Sequence, residues 1–178
     1  MIELERHPVK IQHINVRTEL HGDEERTAVD IKLGFDVPNT SLEALAEGLR
    51  GALYEAPEDA DLLGDAERPF TRVRFPQFGT FKWAGEWSSV GLHLHLGNGR
   101  GKGDLIFSEA VFGKLTVACK EGGSCACVVR VQLLPTPDET AKLVGLLKRE
   151  VPATTDLSEA VDLDAPTGDD DHDDYEEE

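Results

Sequence analysis

Long hydrophobic runs are missing: no stretch approaches the roughly 20 apolar residues that a bilayer-spanning helix needs. The opening segment, MIELERHPVK, is charged throughout and holds no secretory hydrophobic region. Both absences argue against a membrane or secreted protein, so a soluble cytoplasmic one is expected. Catalytic signatures are missing as well, with no Walker A motif, no G-x-S-x-G and no H-E-x-x-H. The expectation is therefore a non-enzyme with no catalytic residue and no cofactor. Cysteine is scarce at 3 residues, and a cytoplasmic setting disfavours pairing them. Lys and Arg are absent from residues 151–178.

That last absence divides the chain. The 178 residues carry a formal charge of -17, of which -12 falls on residues 151–178, leaving -5 for residues 1–150. A like-charged block with few large apolar groups repels itself and buries little, so it is expected to be disordered. The reading is one β-rich domain over residues 1–151 and a disordered acidic tail over 152–178, with the boundary at Val151-Pro152.

A second segregation lies inside the body. Residues 68–102 hold Arg68, Arg72, Arg74, Lys82, Arg100 and Lys102 against one acid, Glu86. The same segment holds six of the chain's eleven aromatic rings: Phe70, Phe75, Phe78, Phe81, Trp83 and Trp87. An acidic stretch with Glu58, Asp59, Asp61 and Asp65 comes just before it.

Periodicity predicts a mainly β chain. Residues 9–20 read as a strand whose alternation changes phase between Ile11 and Ile14, which predicts a bulge near Gln12-His13. Val29, Ile31, Leu33, Phe35 and Val37 alternate with polar residues, so a half-buried strand follows and the two form a hairpin. Further strands are expected over 70–75, 80–83, 88–96, 105–107, 111–119 and 125–134. Thr40 and Glu43 have capping-box spacing ahead of Leu42, Leu45, Leu49 and Leu53, predicting a helix over 41–54. Thr136, Pro137 and Glu139 open a second helix over 137–150, with Ala141, Val144, Leu147 and Val151 as its apolar stripe. An antiparallel curled sheet satisfies this pattern, as a sandwich or an OB-like barrel with two covering helices.

Strand alternation puts Phe70, Arg72 and Arg74 on one face and Val73 and Phe75 on the other. Lys82 opposes Phe81 and Trp83, while His93 and His95 oppose Leu92, Leu94 and Leu96. Phe75, Phe81 and Trp83 share parity with core positions. One outward surface would then show Arg72, Arg74, Lys82, His93 and His95, with Arg100 and Lys102 on a glycine-rich loop at its end. Single-stranded nucleic acid needs such a surface: cations track phosphates and exposed rings stack on bases. Phe70 and Trp87, with Phe78 behind them, are the stacking candidates.

The layout resembles that of bacterial and phage single-stranded-DNA-binding proteins, in which an acidic C-terminus follows a β-rich binding body. The tail that carries this resemblance comprises Asp169, Asp170, Asp171, Asp173, Asp174, Tyr175, Glu176, Glu177 and Glu178. The resemblance implies sequence-tolerant binding of single-stranded DNA in replication or recombination, a phage origin, and a tail that shields the groove or engages partner proteins. Such tails usually end in an apolar residue, whereas this one ends in three glutamates.

His93-x-His95 and Cys125-x-Cys127 raise the question of zinc. Parity separates them, since the cysteines share the core face with Val129, Val131 and Leu133 while the histidines point outward. The reading assigns no metal. The competing classes are a protein-interaction or assembly module and an acidic mimic of DNA.

Overall fold

The computed structural model describes residues 1–21, 24–57, 70–97 and 103–164. β1 (His7–His21) and β2 (Glu24–Pro38) form the expected hairpin. Their register slips between Ile11 and His13, leaving Gln12 as the extra residue of a bulge. Gly34 lies opposite, and a Cβ there would collide with the Gln12 amide. The Gln12 side chain occupies the space that a side chain at position 34 would need. Lys148, at φ 67°, donates its backbone N–H to Ile11 O at 2.7 Å and its Nζ to Gln12 O at 2.6 Å, capping the carbonyls that the slip exposes.

Four more strands close the sheet into a barrel. They are β6 (Trp87–Leu94), β7 (Leu105–Lys120), β8 (Ser124–Leu133) and β9 (Glu150–Asp156). The order β6-β9-β1-β2-β8-β7 returns to β6, and every pairing is antiparallel. The short strands β5 (Thr80–Lys82) and β10 (Val161–Asp162) extend it, while β3 (Tyr54–Glu55) and β4 (Arg72–Val73) form a separate two-stranded ribbon. The expectation of an antiparallel curled sheet is met as a closed barrel, not a sandwich.

Alternation fills the interior. β8 buries Cys125, Cys127, Val129, Val131 and Leu133, and β2 buries Val29, Ile31, Leu33, Phe35 and Val37. Each such aliphatic side chain contributes roughly 1.5–3 kcal/mol relative to an exposed position. Tyr54 plugs the β7–β8 end, its hydroxyl donating to Ser124 O at 2.6 Å and accepting from Lys120 N at 3.1 Å.

Residues 105–107 and 111–119, expected as two strands, are one strand with a register slip between Gly113 and Thr116, where Lys114 takes φ 50°. The helix expected over 41–54 is instead a 3-10 turn (Asn39–Ala44) and a short α1 (Leu49–Leu53). Glu43 does not complete a capping box with Thr40. Its carboxylate accepts from Gly48 N at 2.7 Å and Arg50 N at 3.1 Å, and Gly48 at φ 78° breaks the run.

The second capping box is present, with Glu139 N donating to Thr136 Oγ1 and Thr136 N donating to Glu139 Oε2. Its helix, α2 (Pro137–Gly145), stops early and buries Leu143 and Leu146. Ala141, Val144 and Leu147 stay exposed, because the helix turns the face that carries Leu143 and Leu146 to the core instead.

The boundary expected at Val151-Pro152 falls inside β9, and the domain continues at least to Asp164. Ala153 is fully buried and Thr155 nearly so, and Thr155 exchanges two hydrogen bonds with the Leu4 backbone. Residues 165–178, the acidic end, lie outside the described residues.

A chain cut after Asp164 is expected to melt within a few degrees of the full-length protein by circular dichroism. A chain cut after Val151 loses the strand that joins β6 to β1 and should show no cooperative transition. A cooperative melt of that shorter chain would mean that barrel closure does not depend on β9.

Candidate nucleic-acid interface

The outer face of β2, β8, β7 and β5 is built by the residues that the interior leaves over. Alternation turns Lys32 outward on β2 and Arg130 outward on β8, and the ladder sets them opposite each other. One step along, Val128 on β8 faces Thr116 on β7, and Thr116 faces Lys82 on β5. The slip at Gly113–Thr116 brings Lys114 out beside them. Together these side chains line a groove of about 840 Å³, with Trp83 on its wall and Glu86 as its one acid.

The cations differ in their partners. Arg130 donates to Asp30 Oδ1 at 2.9 Å, while Arg17 holds Asp30 Oδ2 at 3.1 Å. Burial alone would raise the Asp30 pKa, but the two guanidiniums outweigh it and hold the carboxyl below its usual range. Lys32, Lys82 and Lys114 make no ion pair or hydrogen bond among the described residues.

Trp87 does not take the stacking role expected of it, whereas Trp83 packs partly buried against the core, the placement expected from its parity. Trp87 is 6% exposed and belongs to the core, so it offers no ring for stacking. Trp83 is half-buried at the groove. The two indoles meet over Gly85, where a Cβ would lie 2.6 Å from Trp83 Nε1 and 3.0 Å from Trp87 Cζ2. β5 ends at Lys82 and the chain loses strand phase through Ala84-Gly85, so parity does not carry from one tryptophan to the next.

Phe70 is also withdrawn from stacking. Its ring lies under the Arg50 guanidinium, 5.1 Å from centroid to Cζ, and its carbonyl accepts from Asn39 Nδ2. Phe75 and Phe78 are the open rings instead, at 46% and 63% exposure, against the core placement expected for Phe75. Phe78 meets Phe81 edge-on at 6.1 Å. Arg72 and Arg74 stay exposed on the β3–β4 ribbon, where both reach Glu55, at 3.4 and 3.9 Å.

The single outward surface expected from alternation is divided. Lys82 pairs with Thr116 near one end of β7, and His93 pairs with Ile106 near the other. Arg100 and Lys102 lie outside the described residues, as do Asp169, Asp170, Asp171, Asp173, Asp174, Tyr175, Glu176, Glu177 and Glu178. Leu163 N donates to Glu86 O at 2.9 Å, and Glu86 N donates to Asp164 Oδ2 at 3.1 Å. Asp164, the last described residue, is thus held at the groove's Glu86.

Lys32, Lys114 and Arg130 were not singled out from the sequence. The alternation of β2 and β8 marks the first and last as outward, but only the strand order makes them neighbours. The thiols stay away from this face: burial pushes Cys125 up to about 11 and Cys127 up to about 12, so both are protonated at neutral pH. No helix among the described residues is long and apolar enough to cross a membrane. Comparison with protein-family models, with curated proteins and with solved structures finds no match to this chain.

The Asp30 cluster makes a pH-dependent contribution. Its folded-state pKa is depressed, so the stabilisation is complete above the unfolded-state value of about 3.9 and is lost as pH falls through the folded-state value. Asp30→Asn should cost on the order of 1–2 kcal/mol in urea unfolding at pH 7. The gap to the native protein should close as pH falls toward 2, and a gap that stays constant would show that the carboxylate charge is not what holds the two arginines.

Proposed function

We propose that this protein binds single-stranded DNA without reading its sequence. The observation that carries the reading is the groove on the barrel face, where Lys32, Lys82 and Lys114 have no carboxylate partner among the described residues and stand beside Arg130 and Trp83. A single strand laid across β2, β8, β7 and β5 would set its phosphates against these cations and release their counterions. Phe75 and Phe78, on the segment between Arg74 and Lys82, offer faces to unstacked bases. A duplex presents no free base faces, so single strands are preferred.

The acidic C-terminus acts here as an internal competitor. Asp164, the last described residue, is held at Glu86 on the groove, and the charge of the sequence that follows it would mimic a short polyanion. DNA displaces it, and the released tail becomes accessible to partner proteins. The cellular role that follows is protection and handling of single strands in replication or recombination, in a phage-infected or bacterial cytoplasm.

Fluorescence anisotropy of a labelled oligothymidine, with a duplex control and a salt series, tests the reading. Micromolar or tighter binding is expected, weaker on the duplex and falling with salt. Replacing Lys32, Lys82 and Lys114 together with Ala should reduce the slope of log K against log salt by roughly 2, at about 0.7 per lost phosphate contact. An unchanged slope would remove the groove from the interface. No binding by either the full-length chain or the chain ending at Asp164 would overturn the function itself.

Removing residues 165–178 should tighten binding most at low salt, where groove and tail attract each other over the longest range. Equal affinities with and without the segment at every salt concentration would show that the tail does not compete.

A further inference from the structure

At the other end of β7, away from the groove, three side chains converge. His93 and His95 sit two residues apart on the same outward face at the end of β6, their ring centroids 3.7 Å apart. Asp104, just before β7, places Oδ2 2.8 Å from His93 Nε2 and 3.8 Å from His95 Nδ1. These ligand atoms all lie within 4.8 Å of one another. We propose that His93, His95 and Asp104 bind a divalent first-row transition-metal ion, through two imidazole nitrogens and one carboxylate oxygen.

The distances carry the argument. At 3.8 Å, His95 Nδ1 and Asp104 Oδ2 are too far apart for a hydrogen bond. Two ligands each about 2.1 Å from a tetrahedral ion lie roughly 3.4 Å apart, between the two nitrogen–oxygen separations seen here. A metal ion fits among these atoms after shifts of a few tenths of an ångström.

The surroundings hold each donor in place. Asp104 Oδ1 accepts from Leu96 N at 2.8 Å and Gly97 N at 3.0 Å, which leaves Oδ2 turned to the histidines. His95 Nε2 is engaged with Thr154 Oγ1 at 2.8 Å, leaving Nδ1 as its free donor. Such partners behind the ligands are the usual support of a metal site.

The donor set selects the class of ion. Two nitrogens and one oxygen suit zinc, iron(II) or their neighbours, whereas magnesium and calcium prefer oxygen throughout. Three protein ligands leave a further position for water. His93 also lines a cavity of about 450 Å³ with Ser89, Thr154 and Asp156.

Isothermal titration of the full-length chain with zinc chloride tests the site, with magnesium in excess as the selectivity control. The expectation is about one zinc ion bound at micromolar concentration or below, not displaced by magnesium. His95→Ala and Asp104→Asn should each weaken it about 10- to 100-fold. His172→Ala, in the acidic C-terminus, should leave it unchanged. Binding that survives both site variants, or is lost with His172→Ala, would overturn the assignment, as would no binding at all. Should a site variant fail to fold, histidine-ring NMR of the native protein gives the same decision. The His93 and His95 ring signals must shift together as zinc is added, and shifts confined to His172 or other histidines would refute the site.

Discussion

Closure of the sheet is the constraint on which everything else in this protein depends. Six strands form a ring only if the sheet bends sharply, and it bends at bulges. Gln12 bulges over Gly34 on one side, and β7 slips at Gly113–Thr116 on the other. The second slip lets one edge of β7 serve two partners: β6 along its first half and β5 along its second. The β6 partnership closes the barrel and delivers His93 to Ile106. The β5 partnership delivers Lys82 to Thr116. Both candidate sites are consequences of one irregular strand.

The core was legible in the sequence because a β-strand with one buried face writes its burial directly as alternation. The alternating runs of β2 and β8, the break of phase at Gln12 and the Thr136 capping box all encode local geometry, and all are found where the residues placed them. The failures share a physical cause. Glu43 could cap either Thr40 or the turn at Gly48, and the spacing of leucines does not decide which. Val151 and Thr155 continue a strand whose neighbours are β1 and β6, far away in sequence, so an acidic composition nearby masked it. Trp83 and Trp87 straddle a break in strand phase. In each case the decision rests with a distant partner.

The functional surface was legible only in part, for the same reason. The basic and aromatic segment from residue 70 to 83 was visible as composition, and Lys82 does line the groove. Its companions Lys32, Lys114 and Arg130 lie on three other strands and become a group only through the order β2-β8-β7-β5. Asp104 likewise joins His93 and His95 through the pairing of β6 with β7. A single sequence shows which side chains point outward, but it does not show which outward side chains meet.

The two candidate clusters differ in the charge they gather. The chain has 35 acids and 18 Lys and Arg residues, so a cation on its surface has an excess of possible partners. Among the described residues, Arg17 and Arg130 share Asp30, Lys120 binds Asp36, and Arg72 and Arg74 reach Glu55, while Lys10, Lys142 and Arg149 show no carboxylate partner. Lys32, Lys82 and Lys114 share one groove and have no such partner among the described residues. Like charges gathered without counterions oppose folding. Departures from local stability of this kind are expected where a sequence serves a ligand as well as a fold. The groove lysines would favour a polyanion, and the imidazole–carboxylate cluster toward the other end of β7 would favour a cation. The two candidate sites therefore lie along one strand and would take ligands of opposite charge.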